Sequence, residues 1–193
     1  MLVVRQEEKN RYCMIIILAL VFTLFIILWN SNSSDKTQKM IQSDYDGKKY
    51  KVNNADSAKM KDAAHKLAII SEKVESLKNI LRSEHYQNEK VKRILSKYKN
   101  NLQEIPKKHS KVAYTKNKGE VIALCLENDD INVLFYVTIH ELAHVMTRKR
   151  GHPKEFWDNM KFLMKVATEN GILMLPQSNS KYCKTTIGDV VKF

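Results

Sequence analysis

The chain has 193 residues, of which 44% are hydrophobic and 28% charged, and its formal net charge is +12. This length fits one domain with appendages and excludes an array of several domains. The positive charge is not spread evenly along the chain. Residues 36–118 contain 21 Lys plus Arg and 9 Asp plus Glu, whereas the remaining residues contain 12 basic and 12 acidic residues.

The first predicted element is an apolar run. Residues 12–29 carry no charge and, at about 1.5 Å per helical residue, just cross a hydrocarbon core of about 30 Å. Tyr12 and Trp29 stand at its two ends, where interfacial aromatic residues are common. The run therefore predicts a single-pass transmembrane anchor after a short tail over residues 1–11, with a cleavable signal peptide as the alternative. Three basic residues before the run and two soon after it favour a cytoplasmic amino terminus.

Two segments follow the apolar run. Residues 30–57 are rich in Asn, Ser, Asp and Lys and have no apolar period, which predicts a polar tether. From residue 58, apolar side chains recur at alternating spacings of three and four, and a second amphipathic pattern follows a polar break. Residues 58–105 are therefore predicted to form an antiparallel helical hairpin, whose apolar seam packs against the rest of the protein or against a second copy.

The net positive charge lies in the tether, the helical hairpin and the residues just beyond them. A basic segment over residues 36–118 has two natural partners, anionic lipid headgroups and nucleic acid. A solvated helical face is the alternative, because exposed lysines are common on helices.

Residues 106–193 are predicted to form the core of the protein. Runs of β-branched and other apolar residues at 111–115 and 120–127 flank an Asn-Lys-Gly turn, which predicts a β-hairpin. Cys125 lies in the second run and Cys183 lies near the carboxyl terminus. The sequence does not decide whether these two cysteines are bridged or are free thiols.

A His-Glu-Leu-Ala-His motif at residues 140–144 is the strongest chemical pattern in the chain. On an α-helix, His140 and His144 lie about one turn apart on the same face, with Glu141 beside them. This spacing lets two imidazoles bind one zinc ion and leaves a carboxylate to take a proton from the activated water. The alternative is an ordinary amphipathic helix whose histidines are packed or solvated.

A catalytic zinc site needs a further ligand, because such sites use three protein ligands and keep a fourth position open. One histidine follows Gly151, where the motif helix can end and the chain can turn back toward the metal. Three carboxylates on the next predicted helix could also reach it. The candidates are His152, Glu155, Asp158 and Glu169.

The motif, together with Gly-His-Pro-Lys-Glu-Phe-Trp at residues 151–157, resembles the SprT-like and WLM metallopeptidases. The resemblance covers roughly residues 111–170. It implies that His152 is the third zinc ligand, and that Phe156 and Trp157 pack the following helix against the core. It also implies that the strand before the motif helix binds the substrate backbone at a sheet edge.

These observations predict an α+β fold. It is a minimal zincin-like domain, with a small antiparallel sheet and the motif helix, preceded by the helical hairpin and the transmembrane helix. The predicted function is membrane-anchored hydrolysis of peptide bonds in protein substrates, with Zn²⁺ held by the three histidines and Glu141 as the general base. Candidates for stabilising the oxyanion are Tyr114, Tyr136 and Tyr182. The alternative is a non-catalytic, membrane-attached adaptor that binds nucleic acid or anionic lipid and contains a structural zinc.

Overall fold

The computed structural model describes residues 14–26 and 37–188. The chain divides into two compact units, residues 1–36 and residues 37–193. The described part of the first unit is a helix, α1, over residues 14–26. The second unit contains the remaining described helices and strands, and it holds the residues of the predicted metal site.

The prediction of a transmembrane helix over residues 12–29 is contradicted. The described part of helix α1 comprises residues 14–26. Within the described ranges, no helix is both long enough and apolar enough to cross a membrane. The prediction of a single-pass membrane protein fails with it. The predicted tail over residues 1–11 lies outside the described residues.

A five-stranded sheet forms part of the second unit. Its strands are β1 (Gln38–Gln42), β2 (Lys49–Asn53), β3 (Leu102–Glu104), β4 (Ala113–Lys116) and β5 (Val121–Leu124). The strand order is β1-β2-β3-β5-β4. β1 and β2 pair antiparallel, as do β4 and β5, whereas β3 lies parallel to both of its neighbours. The predicted small antiparallel sheet is therefore wrong, because the sheet is mixed.

The parallel pairing of β2 with β3 follows from the helical segment between them. This segment contains α2 (Ser57–Glu84) and α3 (Glu89–Lys97). Parallel neighbours need a long crossover connection, and these two helices provide it. The helical hairpin predicted over residues 58–105 is thus a connection within the sheet, and its predicted boundary with the core falls inside one compact unit.

The polar tether predicted over residues 30–57 also differs from the structure, which describes this segment from residue 37 onward. The described part contains β1 and β2, and in β2 the side chains of Tyr50 and Val52 are buried. Alternation of buried and more exposed residues is typical of a strand with one covered face. The strands were missed because their apolar residues are few and stand among lysines.

Helix α2 buries its predicted apolar seam within the second unit. Leu67, Leu77 and Leu81 are fully buried. The helix contacts the first three strands and both C-terminal helices, α4 (Ile131–Met146) and α5 (Lys154–Glu169). The seam therefore packs against the rest of the protein, which was the first of the two predicted arrangements.

The predicted β-hairpin before the motif helix is confirmed, because β4 and β5 pair antiparallel. Its turn uses three consecutive residues with positive φ, which are Asn117 at 47°, Lys118 at 55° and Gly119 at 115°. Glycine is required at the third position, since an added Cβ would lie 3.0 Å from both the Lys97 carbonyl oxygen and the Val145 side chain. This close approach sets the hairpin against α3 and the end of α4.

Two short strands, β6 (Lys181–Tyr182) and β7 (Thr185–Thr186), form a second hairpin near the carboxyl terminus. A disulfide between Cys125 and Cys183 joins this C-terminal hairpin to the residue after β5. The sequence left this pairing open. Glu127 lies close to both sulfurs, but sulfurs bonded to each other are not available as the thiolate ligands that a metal needs.

Candidate metal centre

Helix α4 carries the motif, and its sequence explains both of its ends. The Asp130 carboxylate caps the first turn by accepting hydrogen bonds from the backbone N–H groups of Asn132 at 2.8 Å and Val133 at 3.4 Å. At the other end, the backbone N–H and the hydroxyl of Thr147 both donate to the Ala143 carbonyl oxygen, at 3.0 and 2.7 Å. The helix ends at Met146, two residues after the motif, where Thr147 adopts an extended backbone with φ −81° and ψ 133°, and the chain then bends over residues 148–151.

Three histidine side chains converge at this turn. His152 Nε2 lies 3.1 Å from His140 Nε2 and 3.2 Å from His144 Nε2. A tetrahedral zinc ion with Zn–N distances of about 2.0–2.1 Å sets its ligand atoms about 3.3–3.4 Å apart. The spacing of these nitrogens therefore fits one zinc ion, and imidazole is among the ligands that zinc prefers.

The other candidates for the third ligand lie outside this group. Asp158 and Glu169 each form an ion pair with a lysine one helical turn away, at 2.9 and 3.8 Å. Glu155 lines a separate groove beside α3. Within the described part of the chain, His152 is the residue that joins the two motif histidines in a potential metal-binding group.

An aromatic ring packs against all three imidazoles. The Phe156 ring centroid lies 4.8 Å from that of His140, 4.5 Å from that of His144 and 4.4 Å from that of His152, and Phe156 is fully buried. Trp157 contacts His152 at 5.6 Å but stays 41% exposed. Phe156 therefore packs into the core as the resemblance implies, whereas Trp157 does not. Contact with one fixed ring restricts the orientations of the three imidazoles.

A buried hydrogen bond joins the end of α4 to α5. Asn159 Nδ2 donates to Thr147 Oγ1 at 3.0 Å, and both side chains are buried. Thr147 is the residue after α4, and Asn159 lies in the second turn of α5. Because His152 lies between these two helices, the bond restricts the loop that carries the third histidine.

Basic side chains satisfy the backbone carbonyl groups at the end of α4. Lys118 Nζ donates to the carbonyl oxygens of Thr147 at 2.9 Å and Lys149 at 3.0 Å, and Arg93 Nε donates to that of Val145 at 3.1 Å. Burial lowers the pKa of Lys118, and neighbouring arginines lower it further. Cations at this end of a helix interact favourably with the helix dipole. They therefore stabilise the turn from which the third histidine projects.

The Glu141 carboxylate is buried beside the histidines without belonging to the potential metal-binding group. Thr115 Oγ1, on β4, lies 2.8 Å from Glu141 Oε2 and 3.1 Å from the Glu141 carbonyl oxygen, and it donates to this residue. Burial raises the pKa of Glu141 to about 7, while the Thr115 hydrogen bond and the charge of Lys111 oppose the rise. A carboxyl group with a pKa near neutrality can both take up and release a proton.

The motif histidines are held in the neutral form. Burial lowers the pKa of His140 to about 3 and that of His144 to about 4, and the neighbouring imidazoles add to both shifts. A neutral imidazole keeps a nitrogen lone pair for metal binding, whereas the protonated ring does not.

A cavity of about 440 Å³ opens beside His140 and Glu141. Of the three tyrosines considered for oxyanion stabilisation, Tyr136 and Tyr182 line this cavity. The Tyr182 hydroxyl is already bonded to two backbone groups. Tyr114 stacks on His109, which does not belong to the potential metal-binding group, with ring centroids 4.7 Å apart. The structure therefore brings two of the three candidates to the site.

The basic segment over residues 36–118 is distributed through the fold. Lys66 is buried and forms ion pairs with Asp62 at 2.8 Å and Asp129 at 2.6 Å. Lys78 is also buried, and it forms an ion pair at 2.9 Å with Glu75, which lies one helical turn earlier. Part of this charge therefore stabilises the fold, and contact with nucleic acid or anionic lipid stays a prediction.

Sequence analysis did not identify Thr115, Thr147 or Asn159 as residues that support the site. None of these three residues is of a type that is unusual at its place in the chain, and none belongs to a recognisable motif. Their positions become informative only when the tertiary structure brings β4 and α5 against the motif helix.

Comparison with known proteins gives little functional information. No family model matches the chain, and no solved structure matches it. The chain is similar to an uncharacterized protein of Acanthamoeba polyphaga mimivirus, with 28% identity over 174 residues, covering 84% of this chain and 87% of the relative. The geometry of the site is therefore the main indication of function.

Proposed function

We propose that the protein is a zinc-dependent metallopeptidase, in line with its resemblance to the SprT-like and WLM metallopeptidases. The observation that carries the proposal is the convergence of three imidazoles beside one buried carboxylate. His152 Nε2 lies within 3.2 Å of the corresponding atoms of His140 and His144. These three residues hold the ion, and Glu141 is the general base.

The composition of the group favours a catalytic site over a structural one. Structural zinc sites are closed by four protein ligands, whereas catalytic sites use three and keep one position open. Among the described residues, the group contains three histidines and no fourth Cys, His, Asp or Glu. Glu141 adjoins the group but is not a member of it, and a purely structural site has no need of a base in that place. This arrangement opposes the hypothesis of a non-catalytic adaptor.

The residues around the carboxylate indicate how it acts. Zinc, when bound, polarises the scissile carbonyl and makes a water molecule acidic enough to lose a proton near neutral pH. Glu141 accepts this proton and delivers it to the leaving amine nitrogen. Thr115 holds Oε2 of Glu141, so the carboxylate keeps one orientation during both transfers. Because Thr115 donates to Oε2, we assign the contact with the water to the other oxygen, Oε1.

The edge of the sheet supports a peptide as the substrate. The strand directly before the motif helix, β5, lies between β3 and β4 and is not an edge strand, which differs from what the resemblance implies. β4 is the last strand in the sheet order and pairs on one side only, with β5, among the described strands. Its unpaired backbone groups can hydrogen-bond an extended peptide. Because β4 contacts α4 and carries Thr115, a peptide added to this edge passes close to Glu141.

The decisive experiment replaces the general base. Glu141→Gln keeps the size of the side chain and is expected to retain zinc, because residue 141 is not a ligand. Loss of general-base assistance should lower the rate of hydrolysis by about 10²- to 10⁴-fold. The measurement is cleavage of a chemically unfolded protein by the zinc-loaded full chain, with zinc content and thermal melting recorded on the same preparation.

Glu169→Gln is the matched control, because it makes the same chemical change at a carboxylate of α5 that pairs with a lysine. This control should cleave at the wild-type rate. A Glu141→Gln variant that also cleaves at the wild-type rate would show that another site performs the hydrolysis. A wild-type protein that binds zinc but cleaves nothing would favour a structural zinc and refute the proposed function.

A further inference from the structure

Three walls of the cavity beside the proposed metal centre come from α4, α5 and the C-terminal hairpin, and Val112 and Ala113 line it at the start of β4. Helix α4 contributes Val137, one turn before Glu141, and helix α5 contributes Trp157 and Met160. The C-terminal hairpin closes the third side with Tyr182 and Ile187. A peptide whose scissile bond lies at Glu141 therefore has a mainly apolar cavity directly beside that bond.

The third wall is fixed to the rest of the protein at several points. The disulfide joins Cys183, between β6 and β7, to Cys125, the residue directly after β5. The Tyr182 hydroxyl accepts a hydrogen bond from the Cys125 backbone N–H at 3.0 Å and donates to the Val112 carbonyl oxygen at 3.1 Å. Asn128 Nδ2 donates to the carbonyl oxygen of Lys181 at 2.5 Å. The hairpin is therefore anchored to the segments that flank the hairpin of β4 and β5.

The polar groups around the cavity are poorly suited to a polar side chain. The Tyr182 hydroxyl is committed to two backbone partners, and one carboxylate oxygen of Glu141 is committed to Thr115. Two threonines, Thr185 and Thr186, also line the cavity, but they are exposed and therefore belong to its solvent side. A buried polar group without a partner loses its hydration without compensation, and an acidic group would also be repelled by Glu141. An apolar side chain has no such cost.

The volume sets the size of that side chain. A cavity of about 440 Å³ falls within the range of roughly 300–1,000 Å³ that is usual for small-ligand pockets, so it accepts a large side chain. We propose that the C-terminal hairpin, held by the Cys125–Cys183 disulfide, forms the outer wall of a specificity pocket that receives a large aliphatic or aromatic side chain next to the scissile bond. This inference rests on the proposed function, because it concerns the substrate of the same site.

The test maps cleavage sites by mass spectrometry after the zinc-loaded full chain has digested a chemically unfolded protein mixture. Leu, Ile, Met or Phe should be enriched at one fixed position beside the cleaved bond. Two synthetic peptides that differ only there, with Leu or Ser, should then differ in kcat/KM by roughly tenfold or more. The ratio of these two values is independent of the fraction of folded enzyme, so partial misfolding of a variant does not imitate a change in specificity.

Val137→Phe fills the pocket from the α4 side and should shift the preference from Leu to Ala at that position. Leu95→Phe makes a comparable change at a half-buried apolar position on α3 and should leave the Leu-to-Ser ratio unchanged. Cys183→Ser removes the tether of the hairpin and should lower this ratio while hydrolysis continues.

The outcomes separate the two proposals. A uniform cleavage profile, or a Leu preference that survives in both Val137→Phe and Cys183→Ser, overturns the specificity pocket and leaves the metallopeptidase in place. A wild-type protein without any hydrolytic activity overturns the proposed function, and the pocket proposal falls with it.

Discussion

Thr115→Val tests the hydrogen bond that orients Glu141, the proposed general base. Valine has nearly the shape of threonine but has no hydroxyl group to donate to Glu141 Oε2, which lies 2.8 Å from Thr115 Oγ1. A hydrogen bond to a charged group contributes about 1.5–3 kcal/mol. Because about 1.36 kcal/mol corresponds to a factor of ten in rate, kcat should fall by about 10- to 150-fold if the whole interaction is needed in the transition state.

The assay measures kcat and KM separately on a peptide that contains one cleaved bond. We expect the loss in kcat, with KM nearly unchanged, because Thr115 contacts the base through its side chain. Thr115→Ser keeps the hydroxyl and should restore most of the activity. Zinc content should stay stoichiometric in both variants, since Thr115 is not a ligand.

Two results would refute this reasoning. If Thr115→Val retains the wild-type kcat, the hydrogen bond does not position the base during the reaction. If Thr115→Ser is as slow as Thr115→Val, the residue acts through its packing, because only the serine variant preserves the hydroxyl group.

Two further predictions concern the third histidine and its support. His152→Ala should lose most of the stoichiometric zinc. Asp158→Ala removes an exposed ion pair nearby and should keep the zinc. The check is metal analysis of each variant, purified as the full chain. Asn159→Ala removes the buried hydrogen bond to Thr147 and should lower the free energy of unfolding by about 1–3 kcal/mol. For a chain of this size, each kcal/mol lowers Tm by about 2–4 °C, and an unchanged Tm would show that the bond is dispensable.

The elements with local signals were predictable from sequence. The turn between β4 and β5 has three consecutive residues with positive φ, and its Asn-Lys-Gly sequence is typical of such a turn. The motif helix was predictable for a similar reason, because its two histidines are fixed on one face by the geometry of a single helix. No information from distant parts of the chain is needed for either inference.

The mixed sheet was not predictable in the same way. β2 pairs with β3 across about fifty residues of chain, with Lys51 opposite Gln103. Neither strand has a strong apolar pattern, and β3 is only three residues long. Its first residue, Leu102, continued the apolar pattern of the preceding helix and was therefore assigned to that helix. The strand forms because the crossover through α2 and α3 brings it beside β2, which depends on tertiary packing.

The transmembrane prediction failed because it counted apolar residues along the sequence. A run of 18 uncharged residues has the composition of a spanning helix, whereas no helix within the described ranges is both long enough and apolar enough to cross a membrane. Composition alone is therefore not sufficient evidence for a spanning helix.

The proposed metal ligands and the residues that position them differ in how easily they are recognised in the sequence. A ligand must be one of a few residue types, and two of them must be spaced one helical turn apart, so His140 and His144 are recognisable without a structure. The positioning groups only need to donate a hydrogen bond or fill a space. Thr115 and Phe156 meet that need through contacts between separate elements, β4 with α4 and α5 with α4. Because many residue types could serve there, the variants of Thr115 and Asn159 test the part of the site that the motif alone does not specify.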